Sequence, residues 1–393
     1  MFNGARITYR QPVTYRSRLK NAIGSSGRPE EAAETREQVG SMSGNSQQTH
    51  RGASVHPLPT ASGSQHAAGM QAQPEDAIVR NPGMALDLGW LEEMRGVNRS
   101  ALERRVQTLA RRRSIKADNQ AAWLLRAVAL MDLTTLNSND TDERVRRLCA
   151  KARNPLRADI VEGLGLGETA IRPAAVCVYH PFVATAVAAL AGTGIHVAAV
   201  STAFPHGLAP LETRIAEIRA SVGDGADEID VVIPRGLVFG AKWQELYDEI
   251  ARFREACGEA HLKVILGTGD LATLRNVTLA SMVAMMAGAD FIKTSTGKES
   301  VNATLPVGLA MVRAIRAYRE RTGYLIGFKP AGGISTAKAS LDWLVLMREE
   351  LGRRWLEPDL FRFGASSLLT DIERQLEHHL TGHYSAAHRH AMA

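Results

Sequence analysis

The sequence predicts a closed α/β barrel of the (β/α)8 type, and three observations predict it. From residue 130 onward, short β-rich runs alternate with helical stretches eight times. The β-rich runs are apolar almost without interruption, which implies burial on both faces and hence a parallel sheet covered by helices. Eight such units occupy roughly 250 residues, which suits a closed barrel better than an open doubly wound sheet, whose strand count is usually lower.

Between Tyr15 and Trp90 there is no aromatic residue, between Ile23 and Ile78 no isoleucine, and Ser, Gly, Gln, His and Pro crowd residues 40–75. Such a segment cannot bury enough apolar surface to offset its chain entropy, so residues 1–80 are expected to be a disordered, basic, low-complexity tail. Its arginine-rich, acid-free start has the composition of a transit peptide, but with a poor amphipathic pattern. Residues 81–129 are expected to form a helical extension. Ser100 with Glu103 reads as a capping box opening a basic helix that runs to Arg112, and Asp118 or Asn119 as the cap of a second helix carrying Trp123, Leu124 and Leu125. Trp90, Leu91, Trp123 and Leu125 are expected to cover the barrel base.

The barrel is expected over residues 130–380. Its strand and helix pairs read as 130–136 and 142–152, 174–180 and 184–192, 196–202 and 211–222, 228–234 and 243–256, 262–268 and 274–288, 290–296 and 307–320, 325–331 and 338–350, then 360–366 and 371–380. The glycine-rich run 163–167 follows no strand and reads as a loop. Residues 381–393 are expected to be a flexible tail.

The chain has 393 residues, 45% hydrophobic and 22% charged, which excludes collagen, coiled coil and wholesale disorder. No apolar run reaches the 18 or so residues that would span a bilayer. Three scattered cysteines offer no disulfide framework and no zinc knuckle, which favours a reducing, cytoplasmic compartment. Six of the 47 basic residues fall in residues 1–29, which hold no acid, so the remainder balances 41 basic against 41 acidic residues. A neutral folded part argues against nucleic acid as the partner.

Chemistry in a barrel sits at the C-terminal strand ends, where the interior is otherwise packed with branched apolar side chains. Asp132, Asp230, Lys293 and Lys329 interrupt apolar runs there. A lone Asp or Lys in such a run is usually a solvated or paired structural ion. Two lysines on the sixth and seventh strands, with strands about 4.8 Å apart, are harder to explain that way. Each ammonium would disfavour the other's charge, and partial desolvation acts in the same direction. A neutral amine is what carbonyl attack requires, and the Schiff base then supplies an electron sink. Asp230 could relay protons. No metal or cofactor is needed: no His-x-His or His-Glu-x-x-His stands at a strand end, and His378, His379, His383, His388 and His390 read as a polar tail. Thr294–Lys298, Ala331–Gly333 and Gly364–Ser367 place glycine beside small residues, mostly hydroxyl-bearing, directly after strands, where amides and a helix N-terminus can cradle a phosphate.

These residues carry a resemblance. MDLTTLNSNDTDE (131–143), GADEIDVVIPRGLV (225–238), GADFIKTSTGKESVNAT (288–304), IGFKPAGGIS (326–335) and FRFGASSLLTDIERQ (361–375) are similar to stretches of the deoxyribose-phosphate aldolase family, which are metal-free class I aldolases. The resemblance implies reversible cleavage of 2-deoxy-D-ribose 5-phosphate to D-glyceraldehyde 3-phosphate and acetaldehyde. It further implies that Lys293 forms the Schiff base, that Asp230 relays protons, and that Lys329 is the second, proton-transferring lysine. Lys298, Gly332, Gly333, Ser366 and Ser367 match phosphate-contacting positions, and Asp132 and Cys177 match polar residues around the sugar; Thr134, Thr296 and Gly364, in the same matching stretches, join the expected substrate site. The chain departs from the family at Ser335, where a basic residue is common, and at Asp270, where Glu is usual. Tyr384 is the candidate for a C-terminal tyrosine that assists proton transfer in some relatives. The expected partner is a small phosphorylated sugar, with a dimer or tetramer left open and no nucleic acid or membrane. The competing readings are another Schiff-base barrel acting on a different phosphorylated sugar, and a barrel that has lost catalysis and serves as a scaffold.

Overall fold

The computed structural model describes residues 79–112, 115–167 and 170–390, so the disorder expected for residues 1–80 lies outside the described residues except at its last two. Among the described residues three helices come first: α1 (Leu88–Glu93), α2 (Arg99–Arg112) and α3 (Ala117–Ala129). Eight strand and helix units follow. The strands are β1 (Met131–Thr134), β2 (Ala175–Tyr179), β3 (His196–Ser201), β4 (Glu228–Val232), β5 (His261–Ile265), β6 (Phe291–Lys293), β7 (Gly327–Lys329) and β8 (Phe363–Ala365). The helices between them are α4 (Asp142–Arg153), α5 (Ala158–Gly163), α6 (Val183–Leu190), α7 (Leu211–Gly223), α8 (Arg235–Phe239), α9 (Trp243–Cys257), α10 (Leu274–Met286), α11 (Leu305–Thr322), α12 (Ala337–Glu350) and α13 (Leu368–Thr381).

All neighbouring strands pair in parallel, from β7 through β1 to β8. Two single bridges, Phe328 with Phe361 and Ala331 with Gly364, bring β7 and β8 together and close the ring. Strand content explains this arrangement. The runs AVCVY and EIDVV are buried at nearly every position, so both faces need cover, and helices supply it outside while the barrel interior supplies it inside. Threonines end several of the strand-to-helix loops. Thr141, Thr273 and Thr336 accept the N–H of Arg144, Asn276 and Ala339, which fixes where α4, α10 and α12 begin.

The extension differs from expectation in two ways. The cap of α2 is Asn98, whose Oδ1 accepts from Ala101 N at 2.9 Å, while Glu103 pairs instead with Arg99. α3 starts after Lys116 with no side-chain cap, and Asp118 lies inside its first turn. These helices lie mainly against the outer helices α11, α12 and α13, and the end of α3 also borders the N-terminal strand ends, where Leu125, Arg126 and Ala129 share a cavity with Ala174, His196 and Arg362. Trp90 stacks on Tyr318 of α11 at 6.0 Å, and the buried Asn81 amide donates to the carbonyls of Met285 and Ala289. Beyond α13, where a flexible tail was expected, the chain turns back and buries His390 beside Glu377 (2.9 Å) and Ser385 (2.7 Å). Among the described residues no helix is long and apolar enough to cross a membrane.

Candidate active site

Alternation along the strands turns one set of charged side chains into the barrel. Glu228 and Asp230 lie two apart on β4 and so share a face. In register, Asp230 faces Lys263 of β5, and Lys293 of β6 faces Lys329 of β7. Asp132 enters from β1, and Arg362 enters just before β8. All seven are buried.

Asp230 is the hub. Its Oδ2 accepts from Nζ of both Lys293 and Lys329 at 2.7 Å, and its Oδ1 accepts from Lys263 at 3.1 Å. Lys329 also pairs with Asp132 at 2.5 Å. Below them, Arg362 bridges Asp132 (2.6 Å) and Glu228 (2.7 Å), and Lys263 donates to Glu228. Burial by itself would drive every one of these groups neutral. For Asp230 that push is outweighed by the three lysines, which hold it well below the usual carboxylate range. Asp132 is held low in the same way, by Lys329, Lys263 and Arg362, and Glu228 to about 2 by Arg362 and Lys263. Lys329 goes upward: against its burial stand Asp132 and Asp230. Lys293 goes downward, because burial and the Lys329 charge together exceed the attraction of Asp230. The two lysines were expected to depress each other, but the structure splits them. The reason is Asp132, an ion partner of Lys329 and not of Lys293.

Lys293 also differs in access. Its amine reaches the floor of a 680 Å³ cavity at the C-terminal mouth, while Asp230, Lys329, Asp132 and Cys177 lie beneath the cavity wall. An apolar cluster of Leu136, Ala175, Cys177, Ala198 and Val200, joined by Tyr179 and Phe204, sits on one side, with the Phe204 ring 6.0 Å from Lys293 Nζ. The cavity lining also holds the remaining expected residues: Thr134, Thr296, Lys298, Gly332, Gly333, Ser335, Gly364, Ser366 and Ser367. Gly332 has φ +79°, and a Cβ there would come within 2.6 Å of the Asn302 side chain, so only glycine fits.

Two expected positions stand elsewhere. Asp270 lies outside the cavity and pairs with Arg235 at 3.1 Å. Tyr384 is exposed, meets the His378 ring edge-on at 4.0 Å, and lines no part of this cavity. Sequence reasoning missed Lys263, Glu228 and Arg362, although a charge within an apolar run, the signal that singled out Lys293, was present in HLKVI and LFRFGAS. It also missed Arg144, Thr135, Asn137 and Arg374 on the cavity rim. These stand on loops or helices, where a polar residue is ordinary.

The family model described as DeoC/LacD family aldolase matches residues 126–370, from the end of α3 through all eight strands to the first turn of α13. Mouse deoxyribose-phosphate aldolase is 59% identical over 308 residues, covering 78% of this chain and 96% of the mouse protein. The human protein of the same name is 57% identical over 312 residues, covering 79% and 98%. Among solved structures, a putative deoxyribose-phosphate aldolase from Toxoplasma gondii superposes with a TM-score of 0.56 at 25% identity, covering 66% of this chain and 97% of that one. A deoxyribose phosphate aldolase from Aeropyrum pernix, described as having a unique tetrameric structure, shares the fold with a TM-score of 0.51 at 21% identity, covering 71% and 99%. With the matched segment spanning the eight strands and the lysine-bearing mouth, the chain belongs to the DeoC/LacD family of aldolases.

Proposed function

We propose that the protein is a class I aldolase that cleaves 2-deoxy-D-ribose 5-phosphate to D-glyceraldehyde 3-phosphate and acetaldehyde, with Lys293 as the covalent residue. One observation carries this reading. Of the four cations in the buried charge cluster of the barrel, Lys293 alone both has its pKa lowered and opens into this cavity. The Lys293 amine attacks C1 of the open-chain sugar, and loss of water from the carbinolamine gives the iminium. Removal of the C3 hydroxyl proton breaks the C2–C3 bond, whose electron pair moves into the iminium to form an enamine, and glyceraldehyde 3-phosphate leaves. A proton returns to C2, and water hydrolyses the new iminium to acetaldehyde and free amine. Asp230 Oδ2, equidistant from both lysines, can pass protons between them, and Lys329, held cationic, is the acid of the pair.

The phosphate is assigned to the turns Thr296–Lys298, Ala331–Gly333 and Ala365–Ser367. Amides and the N-terminus of α13 converge there, and Lys298 adds charge. The apolar side, around Phe204, suits the two-carbon fragment. Three buried, unpaired cysteines support a reducing, cytoplasmic setting. Borohydride reduction in the presence of acetaldehyde, followed by peptide mass mapping, tests the assignment. The adduct is expected on Lys293 and absent from Lys293→Leu, with acetaldehyde as the product of turnover. An adduct on Lys329 would overturn it.

A further inference from the structure

Arg235 opens α8 directly after β4, and its guanidinium ties together three neighbouring loops of the barrel mouth. Nη1 donates to the carbonyls of Pro205 and His206 after β3, each at 3.2 Å. Nε pairs with Asp270 after β5 at 3.1 Å, and Nη2 lies 3.6 Å from Glu299 Oε1 after β6. The Glu299 side chain is 2% exposed, and the turn before it folds around its carboxylate. That carboxylate accepts the Thr296 N–H (3.0 and 3.1 Å), the Thr296 hydroxyl (2.8 Å) and the Gly297 N–H (3.2 Å), and Thr296 Oγ1 in turn accepts the Lys298 N–H at 3.1 Å.

Two glycines make room for this arrangement. A Cβ on Gly267 would lie 2.5 Å from Arg235 Nε, and one on Gly269 would lie 1.8 Å from the Val301 carbonyl. The same segment reaches the second phosphate turn, because Asn302 donates to the Glu299 carbonyl at 3.0 Å and its side chain fills the space beside Gly332. A buried carboxylate needs a counter-charge, and among the described residues Arg235 is the cation paired with Glu299. Neither Arg235 nor Glu299 lines the cavity.

We propose that Arg235 and Glu299 are positioning residues: through the Thr296–Lys298 turn they set affinity for the substrate's phosphate, apart from the chemistry at Lys293. The proposal rests on the phosphate assignment made above. Its physical basis is that several charge-assisted bonds from one turn to one carboxylate fix the direction of the amides and of Lys298.

The test compares 2-deoxyribose 5-phosphate with unphosphorylated 2-deoxyribose in steady-state kinetics. Glu299→Gln should raise KM for the phosphate ester about tenfold, the scale of one lost bond to a charged group, with much smaller changes in kcat and in KM for the free sugar. Arg235→Met should act in the same direction, and Arg235→Lys should recover part of the loss. Equal KM changes on both substrates, or none, would overturn the proposal. If Glu299→Gln does not fold, the Arg235→Lys and Arg235→Met pair carries the same comparison. Lys298→Met is the control for the phosphate assignment, which fails if this variant binds both substrates as the parent does. Hydrogen exchange at the Thr296–Lys298 amides then decides the positioning role alone: faster exchange in Glu299→Gln or Arg235→Met supports it, and unchanged protection refutes it.

Discussion

At the residue scale, chemistry depends on which of seven buried charges is surrendered. Three carboxylates face four cations, so one proton too many is bound for neutrality when every group is ionised, and Lys293 is the cation with the fewest anionic partners. Attack requires the neutral amine, so activity rises with pH through the Lys293 value, which burial and Lys329 keep below that of an ordinary lysine. Replacing Lys329 by Met removes a repelling charge and leaves Asp230 Oδ2 to Lys293, while Oδ1 stays with Lys263. The Lys293 value should rise, and the acid limb of the kcat/KM profile should move to higher pH. Asp230→Asn works in the opposite sense on Lys293, because it removes the attraction. Its acid limb should move to lower pH while turnover falls about 10²–10⁴-fold from the lost proton transfer. A profile that moves the same way in both variants would contradict this electrostatic account. The carboxylates also set acid stability. Their folded values are depressed, Glu228 to about 2, so the stability they contribute is present above the unfolded carboxylate range and lost as pH falls through the folded values. Melting temperature should therefore drop below about pH 4, and Glu228→Gln, which leaves Arg362 and Lys263 without that partner, should destabilise the fold by about 3–5 kcal/mol at neutral pH.

At the element scale, position follows from short-range rules and close contacts. The strand and helix units read from the sequence coincide with the observed elements to within a few residues, because burial pattern and turn residues are local signals. Caps were less legible. Ser100 and Asn98 are both good cap residues, and which one is used depends on how the chain enters α2 from Arg95 and Val97. Asn98→Ala should cost about 1 kcal/mol and Ser100→Ala a few tenths, measured by chemical denaturation. A larger loss at Ser100 would restore the capping-box reading. Close approach explains Gly327, where a Cβ would fall 2.3 Å from the buried Phe291 ring. The short helix α5, just before the 163–167 run, went unread because six residues carry too little periodicity.

At the scale of the whole molecule, the extension is part of the barrel's outer ring. Trp90 is pinned between the Tyr318 ring and the Arg321 guanidinium (4.3 Å), and Arg105 and Arg316 meet at the buried Glu350. A chain beginning at Asp76 should melt and turn over like the full chain. One beginning at Ala117 should melt well below it, since it loses the buried Asn81, Trp90, Leu91, Leu102 and Leu109. Equal melting of both chains would show that the part of the extension before Ala117 contributes nothing.

The sequence by itself determined the eight parallel strands, the strand-end lysines and aspartates, and the glycine and hydroxyl turns after strands six to eight. Each of these is written in a run of adjacent residues, as strand burial, a charge inside an apolar run, or a glycine where a chain must turn. Only the tertiary structure decided how the charge is divided. Asp132, Glu228, Lys263 and Arg362 come from four strands or their edges, and their mutual distances exist only once the barrel closes. Lys293 and Lys329 look alike in sequence, each ending an apolar strand, and they differ because Asp132 stands beside one of them and not the other. The same holds for Asp270 and Tyr384, whose placement outside the cavity follows from Arg235 and from the packing of the chain after α13. Electrostatic energy falls with distance between groups far apart in the chain, so no local pattern encodes it.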